Sequence, residues 1–81
     1  MNEWIIIEYG SLPYLMGKPL SEMEVYSPLL LSLFEAGEKA KSFQESVNYL
    51  IMTGKWNAPY PKPIYGVFNV RTRDHIPAAI L

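Results

Sequence analysis

The residues best equipped for chemistry are few. His75 is the only histidine in the chain, and it directly follows Asp74. In an extended segment, neighbouring side chains point to opposite faces. Asp74 is therefore not placed to orient His75 as the carboxylate of a hydrolytic triad does. The expected setting for His75 is a surface turn. Two carboxylate pairs, Glu22 with Glu24 and Glu35 with Glu38, have spacings that could share a proton or hold a divalent cation. No aspartate cluster accompanies them, so a solvated face is the expectation. The sequence contains no phosphate-binding loop, dinucleotide fingerprint, HExxH zinc motif or nucleophile elbow. It contains no cysteine, which removes thiolate and disulfide chemistry, and a single histidine gives little basis for a structural zinc site. The expectation is a protein that is not an enzyme and holds neither cofactor nor metal. A small hydrolase-type enzyme is the last of the alternatives.

Aromatic residues are the less ordinary feature, at 14% of the chain. A chain of 9.3 kDa exposes about 5,000 Å² when folded and cannot enclose every ring. Trp4, Tyr9, Phe34, Phe43 and Phe68 are expected in the core. Rings left at the boundary with water are typical contact residues. The stretch 56–66, WNAPYPKPIYG, concentrates them. Pro59, Pro61 and Pro63 remove amide donors at alternate positions and push their predecessors to extended geometry. The result is a stiff arm resembling a polyproline-II helix. Either it only carries the chain from a helix to a strand, or it displays Trp56, Tyr60 and Lys62 to a partner.

Charge is unevenly spread. Residues 1–54 carry three lysines against seven glutamates, whereas residues 55–81 carry four cations against one aspartate. Tyr65, Asn69, Arg71 and Arg73 fall on one side of a predicted strand, with Lys55 and Lys62 nearby in sequence. Rings that stack bases beside cations that meet phosphates would suit a weak binder of single-stranded RNA or DNA. The leading expectation remains a protein-binding module, such as a regulator, inhibitor or accessory subunit. Its candidate contact residues are Trp56, Tyr60, Lys62, Tyr65, Arg71 and Arg73. A homodimer paired through an edge near HIPAAIL is a further expectation.

The elements that must position these residues follow from periodicity. Residues 3–9, EWIIIEY, read as a strand covered on both faces. Residues 10–21 read as a loop. Ser27 and Pro28 suit the cap and first position of a helix over about 28–36 closed by Gly37, after a short turn or strand at 22–26. Ser42 with Glu45 begins a second helix to about Thr53, with Gly54 just past its end. Its apolar stripe is Phe43, Val47, Leu50 and Ile51. Residues 64–72 form the second strong strand, with Ile64, Gly66, Phe68 and Val70 on one face. The expected fold is α+β: one small domain over residues 1–81, a two-to-four-stranded sheet with an αα-hairpin packed on one face. No stretch has the length of a membrane span, and the start MNEWIIIEYG has no basic leader, so a cytoplasmic protein is expected.

Overall fold

The computed structural model describes residues 1–9, 23–57 and 62–81. Four strands and one long helix follow one another as β1 (Trp4–Tyr9), β2 (Met23–Leu31), α1 (Leu33–Met52), β3 (Ile64–Asn69) and β4 (His75–Pro77). A 3-10 turn, Ala78–Ile80, ends the chain. The sheet order is β2-β1-β3-β4, and every neighbouring pair is antiparallel. β1 is therefore central, and its consecutive isoleucines Ile5, Ile6 and Ile7 are all buried. Ile6 joins Tyr65, Val67 and Leu31 beneath α1. Ile5 and Ile7 join Tyr9 on the opposite face, with Met23, Ile64 and Phe68 packed against them.

The helical hairpin does not form. A single helix of 20 residues replaces it, so the described residues form an α+β fold with one α-helix. Ser32 caps it: its hydroxyl accepts from the Glu35 N–H at 3.1 Å and donates to the Glu35 carboxylate at 3.0 Å. Gly37 does not end the helix but lies within it. A Cβ built there would meet the Leu81 side chain at 3.7 Å. That is an ordinary van der Waals contact, so the space at Gly37 would also accept a methyl group. The buried side of α1 is Ala36, Gly37, Ala40, Gln44 and Val47. These mostly small residues let the helix sit close to the bulky sheet face. Of the expected stripe, only Val47 is fully buried; Phe43 and Leu50 are half-buried, and Ile51 is exposed.

The far end of the helix matches expectation. Gly54 has φ 73°. The Lys55 N–H donates to the Leu50 carbonyl at 2.8 Å, and the Gly54 N–H to that of Ile51 at 3.1 Å. This is a Schellman closure, which favours glycine at that position.

Pro28 does not start a helix; it lies in β2. β2 is an edge strand whose register against β1 shifts twice between Trp4↔Leu31 and Ile7↔Val25. An irregular edge is where a strand tolerates a residue without an N–H. Among the described residues, no helix is long and apolar enough to cross a membrane.

Candidate functional site

Among the described residues, the expected contact residues do not form one surface. Tyr65 is only 6% exposed. Its ring packs edge-on to Tyr26 at 5.0 Å and tilted to Phe43 at 5.8 Å. The strand alternation was read correctly, but the side carrying Tyr65, Val67 and Asn69 is the one α1 covers. Trp56 is half-buried and packs against the same core. Lys62 is exposed, and its ammonium donates to Asn48 Oδ1 at 3.1 Å. Tyr60, Pro59 and Pro61 lie outside the described residues.

Arg71 and Arg73 sit at the other end of β3, in the turn to β4. Asn69 builds that turn: its buried Oδ1 accepts from the Arg71 and Thr72 N–H groups, each at 2.9 Å. The Arg73 N–H donates to the Asn69 carbonyl at 2.8 Å, with Arg73 at φ 66°. Arg71 is committed to an ion pair, its Nε lying 2.9 Å from Glu3 Oε2. The Asn69 amide, then the Arg71 guanidinium, hold the Glu3 carboxyl below its usual value of 4.5. Tyr65 and Asn69 are thus interior groups, and the exposed stacking platform expected beside these arginines is not presented.

His75 is not a surface residue. It is 8% exposed, and its Nδ1 is hydrogen-bonded to the Tyr9 hydroxyl at 2.9 Å. Tyr9 is 4% exposed. Burial pushes its phenol up to about 12. Asp74 takes no part, since its carboxylate accepts from the Thr72 hydroxyl at 3.0 Å. The pair spans three strands. Tyr9 faces Ile64 across β1 and β3, and His75 faces Phe68 across β3 and β4. The Tyr9 ring crosses Gly66 to reach the imidazole. A Cβ built on Gly66 would lie 2.7 Å from Tyr9 Cε2 and 2.8 Å from its hydroxyl.

This arrangement has an alkaline signature. A phenol raised by burial stabilises the fold fully below its unfolded value near 10. That contribution is lost as pH climbs from there through the folded value of about 12. In absorbance titration at phenolate wavelengths, a step near pH 12 is expected, and Tyr9→Phe removes its amplitude. If Tyr9→Phe instead removes one phenol's amplitude near pH 10, the raised value does not belong to Tyr9. Among the described residues, no three side chains of His, Asp or Glu are grouped to hold a metal ion.

Among the described residues, a run of exposed apolar side chains lies where sequence reasoning did not place it. Edge strand β2 presents Val25, Tyr26, Leu29 and Leu30, and the first turn of α1 presents Leu33 and Phe34. Leu29 is 60% exposed and Phe34 76%. Phe34 was expected in the core. At 100° per residue it stands roughly 200° around the helix from buried Ala36, so it faces away from the sheet. Between Met23 and Glu38 the only ionised side chains are Glu24, Glu35 and Glu38, with no cation. The available signal was the pairing of Ser32 with Glu35. It fixes the helix start and turns Leu33 and Phe34 into first-turn residues.

Compared with known proteins, the chain matches no family model, no curated protein and no solved structure.

Proposed function

We propose that this protein is a non-enzymatic protein-binding module, and that its contact surface is the outer edge of β2 with the first turn of α1. The observation that carries this reading is the run of exposed Val25, Tyr26, Leu29, Leu30, Leu33 and Phe34 on one edge. Together these side chains expose on the order of 600 Å², divided by strand alternation between the two faces of the β2 edge. The chemistry of the interior supports the same reading. The histidine is enclosed, and its Nδ1 is engaged by a phenol that burial holds protonated.

Capture of partner proteins on the immobilised full chain tests this. Leu30→Glu with Phe34→Glu is expected to abolish specific capture while far-UV circular dichroism is unchanged, since both residues point to solvent. Arg71→Ala with Arg73→Ala is expected to leave capture intact. The reverse pattern would move the contact to the β3–β4 turn and end the proposal.

A further inference from the structure

Resting on the reading of this edge as a protein contact, we propose that its partner is a basic segment whose lysine or arginine side chain seats against Glu8, Glu24 and Tyr26. The sheet register brings these three together. Glu8 faces Tyr65 across β1 and β3, and it faces Glu24 across β1 and β2. Directly paired residues share a face, so both carboxylates stand on the side that carries Tyr65. Tyr26 stands on that side as well, since its ring meets Tyr65 at 5.0 Å and Phe43 at 5.1 Å. Those contacts hold the ring in place, yet the residue remains 46% exposed. Glu24 is exposed too, and Glu8 is half-buried.

The two carboxylates lack a counter-charge. Like charges directly opposite across two strands are unfavourable. Neither Glu8 nor Glu24 has a hydrogen-bond or ion-pair partner among the described residues. The ion pairs there lie elsewhere, Lys41 with Glu38 and Arg71 with Glu3. From Met23 to Glu38, charge is carried by glutamate alone. This pattern favours a cationic partner and repels an acidic one. A cation between the carboxylates also lies beside the Tyr26 ring, whose π-electrons attract it. Further along β2, exposed Leu29 and Leu30 meet the apolar residues that flank the cation.

Fluorescence anisotropy of labelled synthetic peptides with the full chain tests the proposal. One peptide alternates leucine with lysine, a second has serine for each lysine, and a third has glutamate. The lysine peptide is expected to bind roughly tenfold more tightly than the serine peptide and to weaken as salt rises, and the glutamate peptide not to bind. Glu8→Gln with Glu24→Gln is expected to weaken the lysine peptide roughly tenfold. Glu38→Gln with Glu45→Gln removes the same charge from α1 and is expected to weaken it much less. Relieving a facing pair of like charges should not lower Tm, so thermal unfolding separates lost binding from a lost fold. Equal affinity for the lysine and serine peptides overturns the proposal. So does an equal loss from the two pairs of substitutions. Leu30→Ser with Phe34→Ser leaves the net charge alone and tests the edge itself. If that pair abolishes binding and the Glu8 and Glu24 pair does not, the edge contact stands and the cation site falls. If only the Glu8 and Glu24 pair does so, the cation site stands and the reading of the apolar edge falls. If neither does, both end.

Discussion

Replacing Gly66 with alanine is expected to destabilise the protein by about 3 kcal/mol, which is a fall in Tm of about 15 °C for a domain of this size. Gly66 sits in the middle of β3, facing Ile7 on one side and Pro77 on the other. A Cβ there would lie 2.7 Å from the Ile76 carbonyl oxygen and 2.7 Å from the Tyr9 ring. The ring could swing away, but only by giving up its hydrogen bond to His75. The carbonyl belongs to the backbone of β4 and cannot rotate out of the way, so the strand pair must open. Overpacking of this kind costs about 1–3 kcal/mol. Losing the buried Tyr9–His75 bond adds about 1 kcal/mol. Thermal unfolding followed by circular dichroism reads the sum. Tyr9→Leu in the Gly66→Ala background should recover part of the loss, because the two sites share one space and their effects are not additive. A change below about 0.5 kcal/mol for Gly66→Ala would show that the ring does not cross the strand there.

Replacing Gln44 with alanine is expected to cost about 2 kcal/mol. Gln44 is buried in α1, and its side-chain amide docks on β3 as a peptide group would. Its Oε1 accepts from the Tyr65 N–H at 2.8 Å, and its Nε2 donates to the Pro63 carbonyl at 3.0 Å. β4 reaches only as far as the pair Gly66↔Pro77, so Gln44 satisfies the start of β3 where no strand does. Alanine leaves a buried donor and a half-buried acceptor without partners, and each such orphan costs about 1–3 kcal/mol, less where water can reach it. Amide exchange at Tyr65 should accelerate in step with the loss of stability. Gln44→Glu separates the two bonds. An ionised carboxylate can accept from Tyr65 but faces the Pro63 carbonyl without a proton to give. Its folded pKa is therefore raised. Its stabilising contribution is present below the unfolded value and lost as pH rises through the folded one. If Gln44→Glu is indistinguishable from wild type at neutral pH, the bond to Pro63 contributes nothing.

Local signals in the sequence were legible, and long-range ones were not. The β-branched run at Ile5–Ile7 specified the central strand, and alternation specified β3 to within a few residues. The closure of α1 at Gly54 was visible because a Schellman turn has a local requirement for glycine. The start of α1 was misplaced because Ser27 and Pro28 form a good cap pair in isolation. The register of β2 against β1, set by residues far away in sequence, makes Pro28 an edge-strand residue instead. Gly37 read as a stop signal because glycine is a poor helix residue. The helix instead runs through it, with Gly37 on its buried side.

The burial of Tyr65 and His75 and the exposure of Phe34 were not legible in the sequence for a related reason. Both faces of β3 are apolar, so alternation separated the faces without saying which one the helix would cover. That choice put Tyr65 inside. It also put Phe34 outside, since the buried side of α1 is made of alanine, glycine, glutamine and valine rather than its largest residues. His75 looked exposed because its partner Tyr9 lies 66 positions away.

The most direct test of the contact surface is covalent footprinting of the full chain with a captured partner bound, compared with the free protein. The account predicts strong protection of Tyr26, Leu29, Leu30 and Phe34 on binding, with labelling of Lys62 and Arg73 unchanged. Protection confined to the β3–β4 turn or to Lys62, with Leu30 and Phe34 labelled equally in both states, would contradict it.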